Sequence, residues 1–109
     1  MAKTYHWHKL NDLAAAPGAI TVQEAGGKRI CLAQVEQTWF AFAYKCPHAG
    51  GIMADGFIQQ GEVVCPLHRY RFDLRNGRNT SGEGYYLKTY PLEQREDGLY
   101  VGIEKSSWF

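Results

Sequence analysis

Cys46-Pro47-His48-Ala49-Gly50-Gly51 and Cys65-Pro66-Leu67-His68 are the stretches on which the reading of this 109-residue chain turns. Each offers one thiol and one imidazole within a few residues, in a turn marked by proline or glycine. A loop can aim both side chains of such a pair inward, whereas a strand would send Cys65 and His68 to opposite faces. The region around them, about residues 45–75, is Gly-rich and irregular. It is inserted between short β-branched or aromatic runs that are broken by Gly or Asn turns.

Those runs predict strands at Tyr5–Lys9, Ala19–Glu24, Lys28–Val35, Trp39–Tyr44, Glu62–Val64, Arg71–Leu74, Leu87–Pro91 and Leu99–Ile103. Gly26-Gly27, Asn76-Gly77 and Asp97-Gly98 are two-residue hairpin signals, because such turns need the positive φ that these residues tolerate. Asp12–Ala16 has the pattern of one helical turn before Pro17-Gly18. The expected class is all-β, an antiparallel sandwich or barrel, in a single domain spanning 1–109.

Charge and composition exclude several functions. Twelve Lys and Arg against eleven Asp and Glu leave a net charge of +1, far from the basic balance of a nucleic-acid binder. No run approaches the roughly 18 apolar residues that span a bilayer. The first residues lack a signal-peptide apolar region, so the expectation is a soluble, cytoplasmic protein. Three cysteines give no disulfide framework, which fits a reducing compartment. Cys31, in the alternating run Arg29–Val35, reads as a small buried hydrophobe.

The pattern Cys46-x-His48, then sixteen residues, then Cys65-x-x-His68, with proline after both cysteines, resembles the Rieske iron–sulfur family. The resemblance continues through Asp55-Gly56, Arg71-Phe72-Asp73-Leu74 and Asn76-Gly77, and more weakly from Tyr5 to Ile103. It implies a base of antiparallel strands carrying a loop-built cluster-binding subdomain at about 45–75. It also implies one [2Fe-2S] cluster, with Cys46 and Cys65 on the buried iron and His48 and His68 on the outer one. High-potential members carry a further disulfide whose cysteines align with Gly51 and Leu67, so no such bridge can form here. They also place hydroxyl donors at positions that align with Tyr70 and Phe72. Fewer donors to sulfur imply a potential at the low end of the Rieske range.

The implied function is a soluble one-electron carrier, not a catalyst. Its upstream partner would be a flavoprotein reductase, and an oxygenase or another reductase would stand downstream. A second reading is a small non-catalytic subunit of a larger enzyme such as nitrite reductase. A third is a zinc-stabilised binding module, although zinc sites commonly pair like residues and these loops mix them. With the last expected strand ending at Ile103, no oxygenase domain with its own mononuclear iron is expected.

Three further features stand out. Arg69, Arg71, Arg75 and Arg78 follow the second loop with only Asp73 between them, as a docking patch or a solvated strand face. The third loop, Asn79–Tyr86, contains no proline, and Tyr85 or Tyr86 either covers the cluster or packs on the base. His6 and His8 share one face of the first strand without a third ligand nearby.

Overall fold

The computed structural model describes residues 4–11, 13, 16, 18–47 and 50–105. The expected turn at Asp12–Ala16 and the C-terminal Ser106–Phe109 therefore fall largely or wholly outside the described residues. In chain order the strands are β1 Tyr5–Lys9, β2 Ile20–Ala25, β3 Lys28–Val35, β4 Thr38–Ala43 and β5 Phe57–Gln59. They continue with β6 Glu62–Val64, β7 Arg71–Asp73, β8 Thr89–Tyr90, β9 Leu92–Arg95 and β10 Gly98–Glu104. A single 3-10 turn, Met53–Asp55, is the helical element among the described residues. No helix there is long and apolar enough to cross a membrane.

Three antiparallel sheets result, with orders β2-β3-β4-β8, β1-β10-β9 and β5-β6-β7. The first lies in the middle, and the alternation of β3 shows why. Ile30 and Leu32 join Ala41 of β4 and Leu99, Val101 and Ile103 of β10 in one core. Cys31 and Ala33, pointing the other way, join Phe42, Met53, Val63, Cys65 and Phe72 in a second core beneath the ligand loops. All four of these β3 side chains are fully buried, so β3 reads as a continuous apolar run.

Gly26 and Gly27, with φ of 58° and 78°, form the expected tight turn between Ala25 and Lys28. The other two signals are corrected. The β9–β10 turn uses Glu96 and Asp97, since Gly98 already pairs with Arg95. Asn76-Gly77 belongs to a longer loop, in which the Asp73 N–H donates to the Arg78 carbonyl at 2.9 Å and the Gly77 N–H to the Asp73 carbonyl at 2.7 Å. The fourth-sheet-position strand is also shorter than Leu87–Pro91. Leu87 donates instead to the Gly77 carbonyl at 2.9 Å, and proline has no N–H for a ladder. Strands β5 and β9 were absent from the sequence-based expectation and are discussed below.

Candidate metal centre

The two cysteine loops are the same construction used twice. Lys45 pairs with Ile52 and Val64 with Arg71, so each loop hangs from an antiparallel pair. In the first, the Cys46 N–H donates to the Gly51 carbonyl at 2.7 Å; in the second, the Cys65 N–H donates to the Tyr70 carbonyl at 2.8 Å. Each bond pins its cysteine at the root of the loop, next to a strand. The rest of the loop is left to arch outward.

Cys46 and Cys65 are both buried, neither is in a disulfide, and their side chains lie within hydrogen-bonding reach of each other. Burial above all, helped by the neighbouring Cys46 thiol, pushes the Cys65 thiol up to about 11. The Leu67 backbone N–H, donating to the Cys65 sulfur, acts in the opposite direction. Two facing, buried thiols suit a metal, whose charge holds both as thiolates. Soft thiolate donors set in the hydrophobic core beneath the loops fit an iron–sulfur group.

His68 is exposed at the outer part of the second loop, with Leu67 beside it 42% exposed. Its ring lies 6.3 Å from that of Tyr70, and Tyr70 in turn stacks on Tyr85 at 5.9 Å and 29°. Partial burial, and then the Glu83 carboxylate, raise the Tyr70 phenol, so this ring stays neutral well above physiological pH. His48 lies outside the described residues, so its place at the site rests on the sequence pattern. Among the described residues, no group of three or more His, Cys, Asp or Glu is assembled for a metal ion.

Gly51 and Leu67 face each other: a methyl group on Gly51 would lie 3.0 Å from the Leu67 side chain and 3.2 Å from the Cys65 sulfur. The two positions aligned with the extra disulfide are thus neighbours, and the chain fills them with glycine and leucine.

The proline-free third loop is knit by a side chain that the sequence reading did not single out. The Asn79 amide nitrogen donates to the Arg71 carbonyl at 3.0 Å, to Ser81 Oγ at 3.1 Å and to Glu83 Oε1 at 2.9 Å. Its oxygen accepts from the backbone N–H groups of Glu83 and Gly84. The signal available was an Asn followed by Ser, Gly and Glu, the composition of a loop folded around an amide. Tyr85, 40% exposed, stacks on Tyr70, whereas Tyr86 is 66% exposed.

The arginine run is less uniform than its spacing implies. Arg71 is engaged by Glu62 at 2.7 Å and Gln59 at 2.8 Å, and Arg75 pairs with Asp73 at 3.0 Å. Arg69 and Arg78 are exposed.

Residues 4–91 match the model of the Rieske [2Fe-2S] domain. The chain belongs to the Rieske family. The group that this family implies is a Rieske-type [2Fe-2S] cluster, and the paired thiols of Cys46 and Cys65 fit it. The ferredoxin component of a naphthalene 1,2-dioxygenase system from Pseudomonas aeruginosa is 38% identical over 81 residues, which cover 73% of this Rieske chain and 76% of that protein. A nitrite reductase [NAD(P)H] from Emericella nidulans is 30% identical over 88 residues, covering 72% of this chain but 8% of that much longer protein. Among solved structures, the ferredoxin of carbazole 1,9a-dioxygenase from Nocardioides aromaticivorans superposes with a TM-score of 0.75 at 23% identity, over 94% of this chain and 99% of that one. That likeness establishes the antiparallel Rieske fold.

Proposed function

We propose that this Rieske protein is a one-electron carrier, a ferredoxin that shuttles between a flavoprotein reductase and an oxygenase or other terminal enzyme, in the cytoplasm. The observation that carries the reading is the side-by-side burial of Cys46 and Cys65, one from each of two matched loops. In this reading residues 1–109 are one domain, with the cluster-binding subdomain at about 45–75.

Cys46 and Cys65 would hold one iron of the cluster, and His48 and His68 the other. When bound, the cluster supplies reversible one-electron chemistry. The chain supplies the rest. The core under the loops keeps water from the thiolates, and the Leu67 N–H places a donor on the Cys65 sulfur. The exposed His68 loop gives the electron a short path to a docked partner. No residue set for substrate turnover is needed, and the protein is a component of an enzyme system rather than its catalyst.

The similarity to part of a nitrite reductase favours a second reading, a non-catalytic module of a larger reductase. A purified chain that cycles reversibly as a free protein supports the carrier; one that is stable only with a second protein supports the module. The primary experiment is electron paramagnetic resonance of the dithionite-reduced protein. A rhombic signal with average g below that of an all-cysteine [2Fe-2S] ferredoxin is expected, and its loss is expected in His68→Ala. A silent, zinc-containing protein would overturn electron carriage in favour of a zinc-stabilised binding module.

A further inference from the structure

The loop that carries His68 is held in a conformation its residues resist. His68 and Arg69 have φ of 61° and 58°, consecutive left-handed residues, each with a side chain. At the position of the first loop that corresponds to Arg69, counted from the cysteine, the chain has Gly50, with φ of 70°. Glycine meets this demand without steric cost, and arginine does not. Such backbone persists only where its surroundings over-determine it.

The surroundings here include a ring ladder. The His68 imidazole meets Tyr70 at 47°, and Tyr70 is also stacked by Tyr85 of the third loop. Tyr85 is presented from a fixed frame. The Thr80 N–H donates to the Arg71 carbonyl at 2.9 Å, the Arg71 N–H donates to Ser81 Oγ at 3.0 Å, and Tyr86 pairs with Arg78. The third loop is therefore sewn to β7, and its tyrosine reaches back over the second ligand loop.

We propose that Tyr85, acting through Tyr70, is a positioning residue that holds the strained His68–Arg69 turn and so fixes the orientation of the His68 imidazole. The proposal rests on His68 being an iron ligand. In this proposal the stacking faces carry the effect.

The test compares the cluster-loaded parent with Tyr85→Phe, Tyr85→Ala, Arg69→Gly and the double variant Tyr85→Ala/Arg69→Gly. Two quantities are read: the width of the paramagnetic resonance features of the reduced protein, and the rate at which a chelator removes iron. Tyr85→Phe keeps the parent's values. Tyr85→Ala broadens the signal, as the imidazole samples more orientations, and speeds iron loss about two- to tenfold, the range that one aromatic pair produces. Arg69→Gly in that background restores both readouts, because the glycine relaxes the turn that Tyr85 had been holding. Should Tyr85→Ala fail to load, Tyr85→Leu, which keeps bulk but removes the ring, takes its place with the same expectation.

A Tyr85→Ala or Tyr85→Leu protein with the parent's line width and release rate overturns the proposal, as does a Tyr85→Phe protein that behaves like Tyr85→Ala. Failure of the double variant to recover overturns the strain argument. A parent without a mixed Cys/His signal would instead remove the ligand assignment itself, a result distinguishable from all of these.

Discussion

A methyl group added at Gly77 would lie 1.9 Å from the Leu87 carbonyl oxygen, in backbone with φ of 77°. Gly27 has nearly the same φ, 78°, but open space around it. Gly27→Ala should therefore cost about 1 kcal/mol, the conformational term alone. Gly77→Ala should cost about 3 kcal/mol or more, since the loop must also move. Urea unfolding midpoints of the two variants check the difference. The Asn76-Gly77 signal was legible as a turn, but its real constraint is a close approach from a distant loop, which local sequence does not encode. Cys31 was legible in full: it is completely buried, and burial pushes its thiol up to about 12, far from any reactive range. The left-handed His68 and Arg69 were not legible, because neither residue type announces positive φ. They lie within the loop that the Cys65 N–H closes on the Tyr70 carbonyl, a contact that local sequence does not encode.

Among the elements, β1, β3 and β6 have the expected bounds: β1 is aromatic, β3 is long, and β6 carries a β-branched pair, Val63-Val64. Strand β9, Leu-Glu-Gln-Arg, escaped because it is a sheet edge exposed after its first residue, with no apolar alternation to see. Strand β5 escaped because it is short and sits at the edge of its sheet, closed by Gln60 and Gly61 at positive φ. The turn between β3 and β4 runs through Glu36 and Gln37, at φ of 49° and 69°, without the glycine that would have marked it. In the third loop, Asn79 gathers hydrogen bonds from both sides. Asn79→Ala should accelerate amide exchange at Thr80–Gly84 while leaving β3 protected, which exchange mass spectrometry would read.

Acid stability belongs to this scale too. The Arg75 guanidinium and backbone N–H, bonded to Asp73, hold its carboxyl below the usual carboxylate range. A depressed folded-state value means that the stabilisation is present above the unfolded carboxylate value, about 3.9, and is lost as pH falls through the folded value. Asp73→Asn should flatten the acid limb of stability below about pH 4 and leave the slope near neutrality unchanged. Urea titrations from pH 6 to pH 3 would show it.

For the whole molecule, periodicity alone gave strand content, and the resemblance carried by the two cysteine loops gave topology. The three-layer stacking was hidden because only the shared burial of β3 reveals it. The electronic consequence also belongs here. All three cysteines are free, Gly51 and Leu67 occupy the positions a bridge would use, and Phe72, buried in the core beneath the loops, has no hydroxyl to donate. With few donors to stabilise the reduced cluster, the potential should lie near about −150 mV. Spectroelectrochemistry giving a value well above zero would contradict this.

The doubly buried β3 has one more consequence. Its Cys31 and Ala33 belong to the core beneath the ligand loops, and its Ile30 and Leu32 to the core of the base. It works as a party wall, with each side leaning on the other. Melting the cluster end strips one face of the wall and bares apolar surface that the base alone cannot cover. The two ends are therefore tied into one cooperative unit, and the cofactor's hold on its loops is felt as the firmness of the entire protein.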